Sequence, residues 1–248
     1  METKKEKQVW KNKKIAVLLA LIVAVAAFGF TWAFYTHNMA LANPLGTSHS
    51  GAAMVEEFNP DSSFLPGETV IKKVAFRNTG KMDLFLRVEV PPEEAWYKNG
   101  EAVEGKELDE NIYDPGKVIK NWKPGVWPEN DDEETTEWSR VFTGEVTEKD
   151  QAGNTTTVTK RYRYYKKILS PGEPTSEILE SITLDPSVSN DRHAVDYSDK
   201  IYKLTFIAEA VPVEGNVGSD GSIGLQAGVQ GLWSINVSGT KESLVWSE

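Results

Sequence analysis

The stretch Thr69-Val-Ile-Lys-Lys-Val-Ala-Phe-Arg77, the turn Asn78-Thr-Gly80 and the run Leu84-Phe-Leu-Arg-Val-Glu-Val90 decide the fold class of this 248-residue chain. In the second run Leu84, Leu86, Val88 and Val90 fall on one face, while Arg87 and Glu89 point the other way. That period of two marks a half-buried strand. Pro91 and Pro92 lack backbone donors and stop it. The turn signal Leu65-Pro-Gly-Glu68 opens the pair of strands. The same grammar returns roughly a hundred residues later, at Leu169-Ser-Pro-Gly-Glu173. A strand-like segment at 178–184 follows, then a polar turn region at 185–199. A final strand spans 200–211, with Tyr202, Leu204, Phe206, Ala208 and Ala210 on one face.

Between these halves, residues 93–160 are rich in Glu, Asp, Asn, Pro and Gly and carry the turns Asp114-Pro-Gly116 and Lys123-Pro-Gly125. They read as a long irregular insertion with hairpins. Arg161-Tyr-Arg-Tyr-Tyr-Lys-Lys-Ile-Leu169 resumes strand character through its aromatics. Beyond the N-terminal apolar run no segment sustains a helical period over three turns, and residues 173–180 are the best candidate for a short helix. Short strands, Pro-Gly turns and a single core predict an all-β domain over 55–248, an antiparallel jelly roll or β-sandwich, preceded by one N-terminal hydrophobic helix.

The N-terminus sets the compartment. Lys4, Lys5, Lys7, Lys11, Lys13 and Lys14 flank an almost unbroken apolar run over 15–35. Its length of roughly 21 residues suits a bilayer core of about 30 Å, and the basic flank stays cytoplasmic, so the rest of the chain is expected outside. Secretory apolar cores usually run only about 7–15 residues, which leaves a removed signal peptide (1–34) and a retained plasma-membrane anchor both open. Thr31-Trp32-Ala33, followed by Phe34, offers a small-x-small processing site. Ala40-Leu41-Ala42 offers an alternative. Residues 35–54 mix small, polar and turn-forming types and read as an N-terminal arm.

The formal net charge of −10 includes about +4 from six lysines less Glu2 and Glu6, leaving roughly −14 on the exported part. Such a surface is a poor partner for nucleic acid, whose phosphates need clustered Lys and Arg. The absence of cysteine removes disulfides, thiolate zinc sites and thiol catalysis together. His37, His49 and His193 contain no His-Glu-x-x-His pair. The run Glu129-Asn-Asp-Asp-Glu-Glu134 has hard oxygen ligands but not the alternating spacing of a calcium loop, so it reads as a solvated acidic loop. Gly215, Gly218, Gly221 and Gly224 read as a hairpin loop, since no Gly-Lys-Ser/Thr follows to cradle a phosphate. No catalytic, cofactor-binding or metal residue is assigned. Trp96, Trp122, Trp127 and Trp138 lie in or beside the polar segment, either folding it onto the sheet or standing exposed. Trp122 and Trp127 are the candidate glycan contacts.

The basic leader with Gly29-Phe-Thr-Trp-Ala33, a Pro-Gly turn, Lys73-Val-Ala-Phe-Arg-Asn-Thr-Gly80 and Leu84-Phe-Leu-Arg-Val-Glu-Val90 resemble exported matrix proteins of Gram-positive bacteria processed by a SipW-type signal peptidase. These are the TasA, camelysin and BsaA relatives. Tyr202-Lys-Leu-Thr-Phe-Ile-Ala-Glu-Ala210 with Gly231-Leu-Trp233 is most similar to the BsaA branch. The resemblance leaves residues 93–160 unmatched. It implies a secreted jelly-roll subunit that builds extracellular biofilm fibres with itself or other matrix proteins, its arm from Phe34 adding as a strand to the next subunit. A cell-surface adhesin binding polysaccharide is the alternative, and a camelysin-like peptidase the second.

Overall fold

A computed structural model describes residues 51–58, 64–98, 107–110, 112–149, 153–188, 195, 197, 200–215 and 217–248. The chain divides into two units, Met1–Leu41 and Ala42–Glu248, and every described residue lies in the second. The leader, the processing positions Thr31, Ala33, Phe34, Ala40 and Ala42, and all three histidines lie outside the described residues. Among the described residues no helix is long and apolar enough to cross a membrane.

The described fold is mostly β and antiparallel. One sheet runs in the order β1 (Ala52–Phe58), β2 (Thr69–Asn78), β8 (Leu179–Leu184), β5 (Val118–Trp122). A second runs β10 (Ala208–Pro212), β3 (Leu84–Glu89), β7 (Thr155–Tyr164), β6 (Phe142–Lys149). Two ribbons complete the set, β4 (Glu93–Lys98) with β9 (Lys200–Thr205) and β11 (Asn236–Thr240) with β12 (Ser243–Ser247). One short helix, α1 (Ala227–Trp233), precedes the last ribbon. Glu214 accepts from the backbone N–H groups of Ala227 and Gly228 at 3.1 and 2.7 Å, satisfying two donors that a helix start leaves open.

The sheets meet through a core in which Val70, Val74 and Phe76 of β2 and Leu179 and Ile182 of β8 join Leu84, Leu86 and Val88 of β3. A second core lies on the other side of β3. There Phe85, Tyr162, Tyr164 and Val211 pack against Val229 and Trp233 of α1 and Leu244 and Trp246 of β12. The middle sheet is therefore buried on both faces, and β3 is not the half-buried strand its alternation suggests. Its outward face is covered by the C-terminal layer, so Arg87 is only 4% exposed.

Residues 93–160 are not an irregular insertion. They supply β4, an edge strand to each sheet in β5 and β6, and the first half of β7. β5 pairs with β8, distant in sequence, and such partners leave no local trace. The segment read as one strand over 200–211 breaks after Thr205, and its halves join β4 and β3 separately. Leu204, Phe206 and Ala208 nevertheless keep one face in the main core across the break. Residues 173–180 form no helix. β1 begins at Ala52, so the last three residues of the stretch read as an arm belong to the sheet edge.

Both Pro-Gly motifs are hydrogen-bonded turns: Glu68 N–H donates to Leu65 at 2.8 Å and Glu173 N–H to Ser170 at 3.0 Å. Gly67 and Gly172 carry φ of +80° and +82°, which glycine adopts without a Cβ penalty. Asn78 locks the second turn to the β2–β3 connection. Fully buried, it donates through Nδ2 to the carbonyls of Met82 (2.7 Å) and Leu169 (2.8 Å), and its Oδ1 accepts from Gly80 N–H at 2.8 Å. Replacing Asn78 with Ala removes all three bonds and takes the side-chain donor from the Met82 carbonyl, while Leu169 O keeps the Leu84 N–H at 3.1 Å and Gly80 N–H keeps Gly51 O at 3.2 Å. Asn78→Ala is expected to lower unfolding free energy by about 2–3 kcal/mol in chemical denaturation, on the scale of three net hydrogen bonds. A loss under about 0.5 kcal/mol contradicts the assignment.

Candidate functional site

Arg87 and Glu209 stand directly opposite each other on β3 and β10, each flanked by apolar neighbours. Glu209 Oε2 accepts from Arg87 Nε at 3.0 Å and Nη2 at 2.6 Å, and Arg87 Nη1 donates to Tyr164 Oη at 3.3 Å. The guanidinium carbon sits 3.7 Å from the Tyr162 ring centre and 4.8 Å from that of Trp233, so the cation is held between two π faces. Burial pushes the Tyr162 and Tyr164 phenols up, against the opposing pull of Arg87. The middle sheet and the C-terminal helix thus share one buried charge.

A cleft of about 330 Å³ opens beside this cluster, lined by Arg87, Phe142, Gly144, Glu145, Leu232 and Trp233. Gly144 leaves its floor open, since a Cβ there meets nothing within 4 Å. Glu209 already matches the Arg87 charge there. A second cleft, of about 360 Å³, lies on the β4–β9 ribbon near Glu93, Glu94, Tyr97, Glu107 and Lys203. Its Glu94 is fully engaged, accepting from Lys120 at 2.8 and 2.9 Å and from Tyr202 Oη at 2.6 Å. Burial and that carboxylate together push the Tyr202 phenol far above its ordinary range.

The tryptophans form a connected aromatic seam. Trp122 stacks on Trp127 at 5.4 Å, Trp127 meets Trp138 edge-on at 5.1 Å, and Trp138 meets Phe76 at 6.1 Å. Trp127 is 5% exposed, and Trp122 is partly buried against Phe206. Stacking on a sugar needs an open ring face, and of the two candidate glycan contacts only Trp122 retains exposed surface. Trp96 is buried among Tyr197 and Tyr202, with its indole N–H donating to Asp114 O at 3.2 Å.

The acidic run wraps a cation that the chain itself supplies. Arg163, 3% exposed, donates Nη1 to the carbonyls of Ser139 (2.8 Å) and Glu133 (3.1 Å) and Nη2 to that of Asn130 (2.7 Å). Asp131 pairs with Arg161, and Glu134 with Lys166 at 3.2 Å. Asn130 holds the Glu133 carboxyl below its usual range through side-chain and backbone hydrogen bonds. Among the described residues no three His, Asp or Glu side chains gather to hold a metal ion.

Sequence reading missed Arg87, Glu209 and Arg163. The signal was present in part: a charge between apolar neighbours along each of two strands, and arginines alternating with tyrosines in Arg161-Tyr-Arg-Tyr164. A lysine at 163 cannot reproduce a planar fork reaching three carbonyls. Arg163→Lys is expected to cost about 1–3 kcal/mol and to open the 129–139 loop to a glutamate-specific protease, cutting after Glu133 or Glu134 within a digestion time that leaves the parent intact. Equal resistance of both proteins contradicts this role.

The chain matches no protein-family model, no curated protein and no solved structure.

Proposed function

We propose that this chain is an exported structural protein of the extracellular matrix, a jelly-roll subunit that assembles with copies of itself by strand donation. Three features support the reading. The basic-flanked apolar leader directs the domain outward. The cysteine-free sequence leaves stability to the core and to association. Asn78 of the Asn78-Thr-Gly80 turn, one of the motifs that carry the resemblance to SipW-processed matrix proteins, is buried where β2, the β2–β3 connection and the Leu169 turn meet.

The observation that carries the proposal is the position of β1. It is an edge strand, paired with β2 on one side and with no strand on the other among the described residues, and it follows directly on the arm that processing frees. An edge of that kind offers a row of main-chain donors and acceptors to an incoming strand. Head-to-tail pairing does not close, so it grows filaments. SipW-type processing near Thr31 and Ala33 is the step that releases the arm in this scheme.

Because Ala52–Phe58 belongs to the sheet, the informative deletion spans residues 34–50 and stops short of β1. The deleted protein is expected to keep its β circular dichroism and to lose fibres in electron microscopy. Fibres that persist at parental abundance contradict strand donation by this arm.

A further inference from the structure

The hairpin of β6 and β7 is longer than the sheet that carries it. β6 and β7 pair along eight rungs, from Phe142 opposite Tyr162 to Lys149 opposite Thr155. β3 pairs with β7 only from Tyr162 to Tyr164, and Val90 N–H adds one bond to Arg161 O at 2.8 Å. Beyond that point come Pro91 and Pro92, which have no N–H to offer. Thr155 to Lys160 therefore project past the sheet as a two-stranded arm. Among the described residues no strand lies against their second edge.

The direction of the free groups follows from strand alternation. Arg161 O and Tyr165 N–H both point toward β3, Tyr165 donating to Leu86 O at 2.9 Å. Residues of the same parity point the same way, so the N–H and C=O of Thr155, Thr157 and Thr159 face the open edge. Natural edges are usually blunted by charge or proline. β1 carries Glu56 and Glu57, β10 ends in Pro212, and β6 bears Glu145, Glu148 and Lys149. Thr155-Thr-Thr-Val-Thr159 has neither charge nor proline, is wholly β-branched, and exposes Thr155, Thr156, Thr157 and Thr159.

We propose that this edge binds the same edge of a second copy, antiparallel and centred on Thr157, joining two β6–β7 arms into one four-stranded ribbon. Thr157 then faces its own counterpart, Thr155 faces Thr159, and Val158 faces Thr156. Three hydrogen-bonded residue pairs supply about six main-chain bonds. Charge permits a second copy here and favours this register. The exported part carries roughly −14 by sequence, so two copies repel over most of their surface, while the threonine edge is neutral. In the register centred on Thr157 the nearest cations, Lys160 and Arg161, fall opposite Asn154 and Gly153 and meet no like charge. The pairing is isologous and closes as a dimer. It does not depend on strand donation by the arm at 34–50, which is a head-to-tail contact at another place.

The chain has no cysteine, so single introduced cysteines report the contact without background. Paired Cα atoms across such a ladder lie about 5.5 Å apart, within disulfide range. The full-length protein carrying Thr157→Cys, kept soluble in mild detergent, is expected to form a disulfide-linked dimer under mild oxidation at least tenfold faster than Ser219→Cys, an exposed turn position. A mixture of Thr155→Cys and Thr159→Cys proteins is expected to cross-link faster than either alone. Mixing Thr157→Lys with Thr157→Glu protein is expected to restore a dimer in sedimentation that Thr157→Lys alone has lost. Thr157→Cys cross-linking no faster than Ser219→Cys overturns the proposal, and so does a Thr157→Lys protein that still dimerises.

Discussion

A guanidinium buried between two layers is the constraint on which the rest of this structure depends. Arg87 rises from the middle strand of the central sheet, finds Glu209 on the neighbouring strand and is covered by the Trp233 ring of the C-terminal helix. A charge so placed is costly unless it is paired and hydrogen-bonded. The pairing requires β10 in register with β3, and the covering requires α1 to lie where Glu214 anchors its first turn. One residue therefore fixes the relation of the sandwich to the layer outside it. The same layer shields Phe85, Tyr162 and Tyr164, which would otherwise leave an apolar face open to solvent.

Seen from that clamp, the two sheet-level surfaces have different duties. The outer side of the central sheet is covered by α1 and the last ribbon, which is why the proposals turn on strand edges. Those edges are unequal. β1 is adjacent to the arm and carries charges paired to β2 through Lys72 and Lys73, while Thr155 to Thr159 of β7 are neutral. The proposed assembly through one and the proposed dimerisation through the other would both use main-chain hydrogen bonds, an adhesive open to a chain without cysteine. Arg163 ties the acidic loop to the sheet through the carbonyls of Asn130, Glu133 and Ser139.

Much of the sandwich was legible in the amino-acid order because its strands alternate and its turns are chemically distinct. The Pro-Gly turns at 66–67 and 171–172 and the strand at 84–89 follow from local rules of sterics and periodicity. Residues 93–160 did not reveal themselves, since β5 is short and paired to β8 far away in the chain, while β6 and the first half of β7 form a polar hairpin without a clear apolar alternation. The buried arginines were hidden for a related reason. Alternation tells which residues share a face of β3, but not that a helix 140 or so residues later covers the second face. The stacked Trp122 and Trp127 were legible as aromatic anchors, and their burial depends on Phe76, Trp138 and Phe206, contributed by three separate segments.

The layered account is tested most directly by the unfolding free energies of Glu209→Met, Arg87→Met and the double variant. Glu209→Met strands a guanidinium whose side chain is 5% exposed, whereas Arg87→Met leaves a carboxylate that is 35% exposed and can hydrate. The account predicts a loss of about 3 kcal/mol or more for Glu209→Met, a loss near 1 kcal/mol for Arg87→Met, and a double variant no less stable than Glu209→Met alone. Equal and additive losses from the two single substitutions would contradict it.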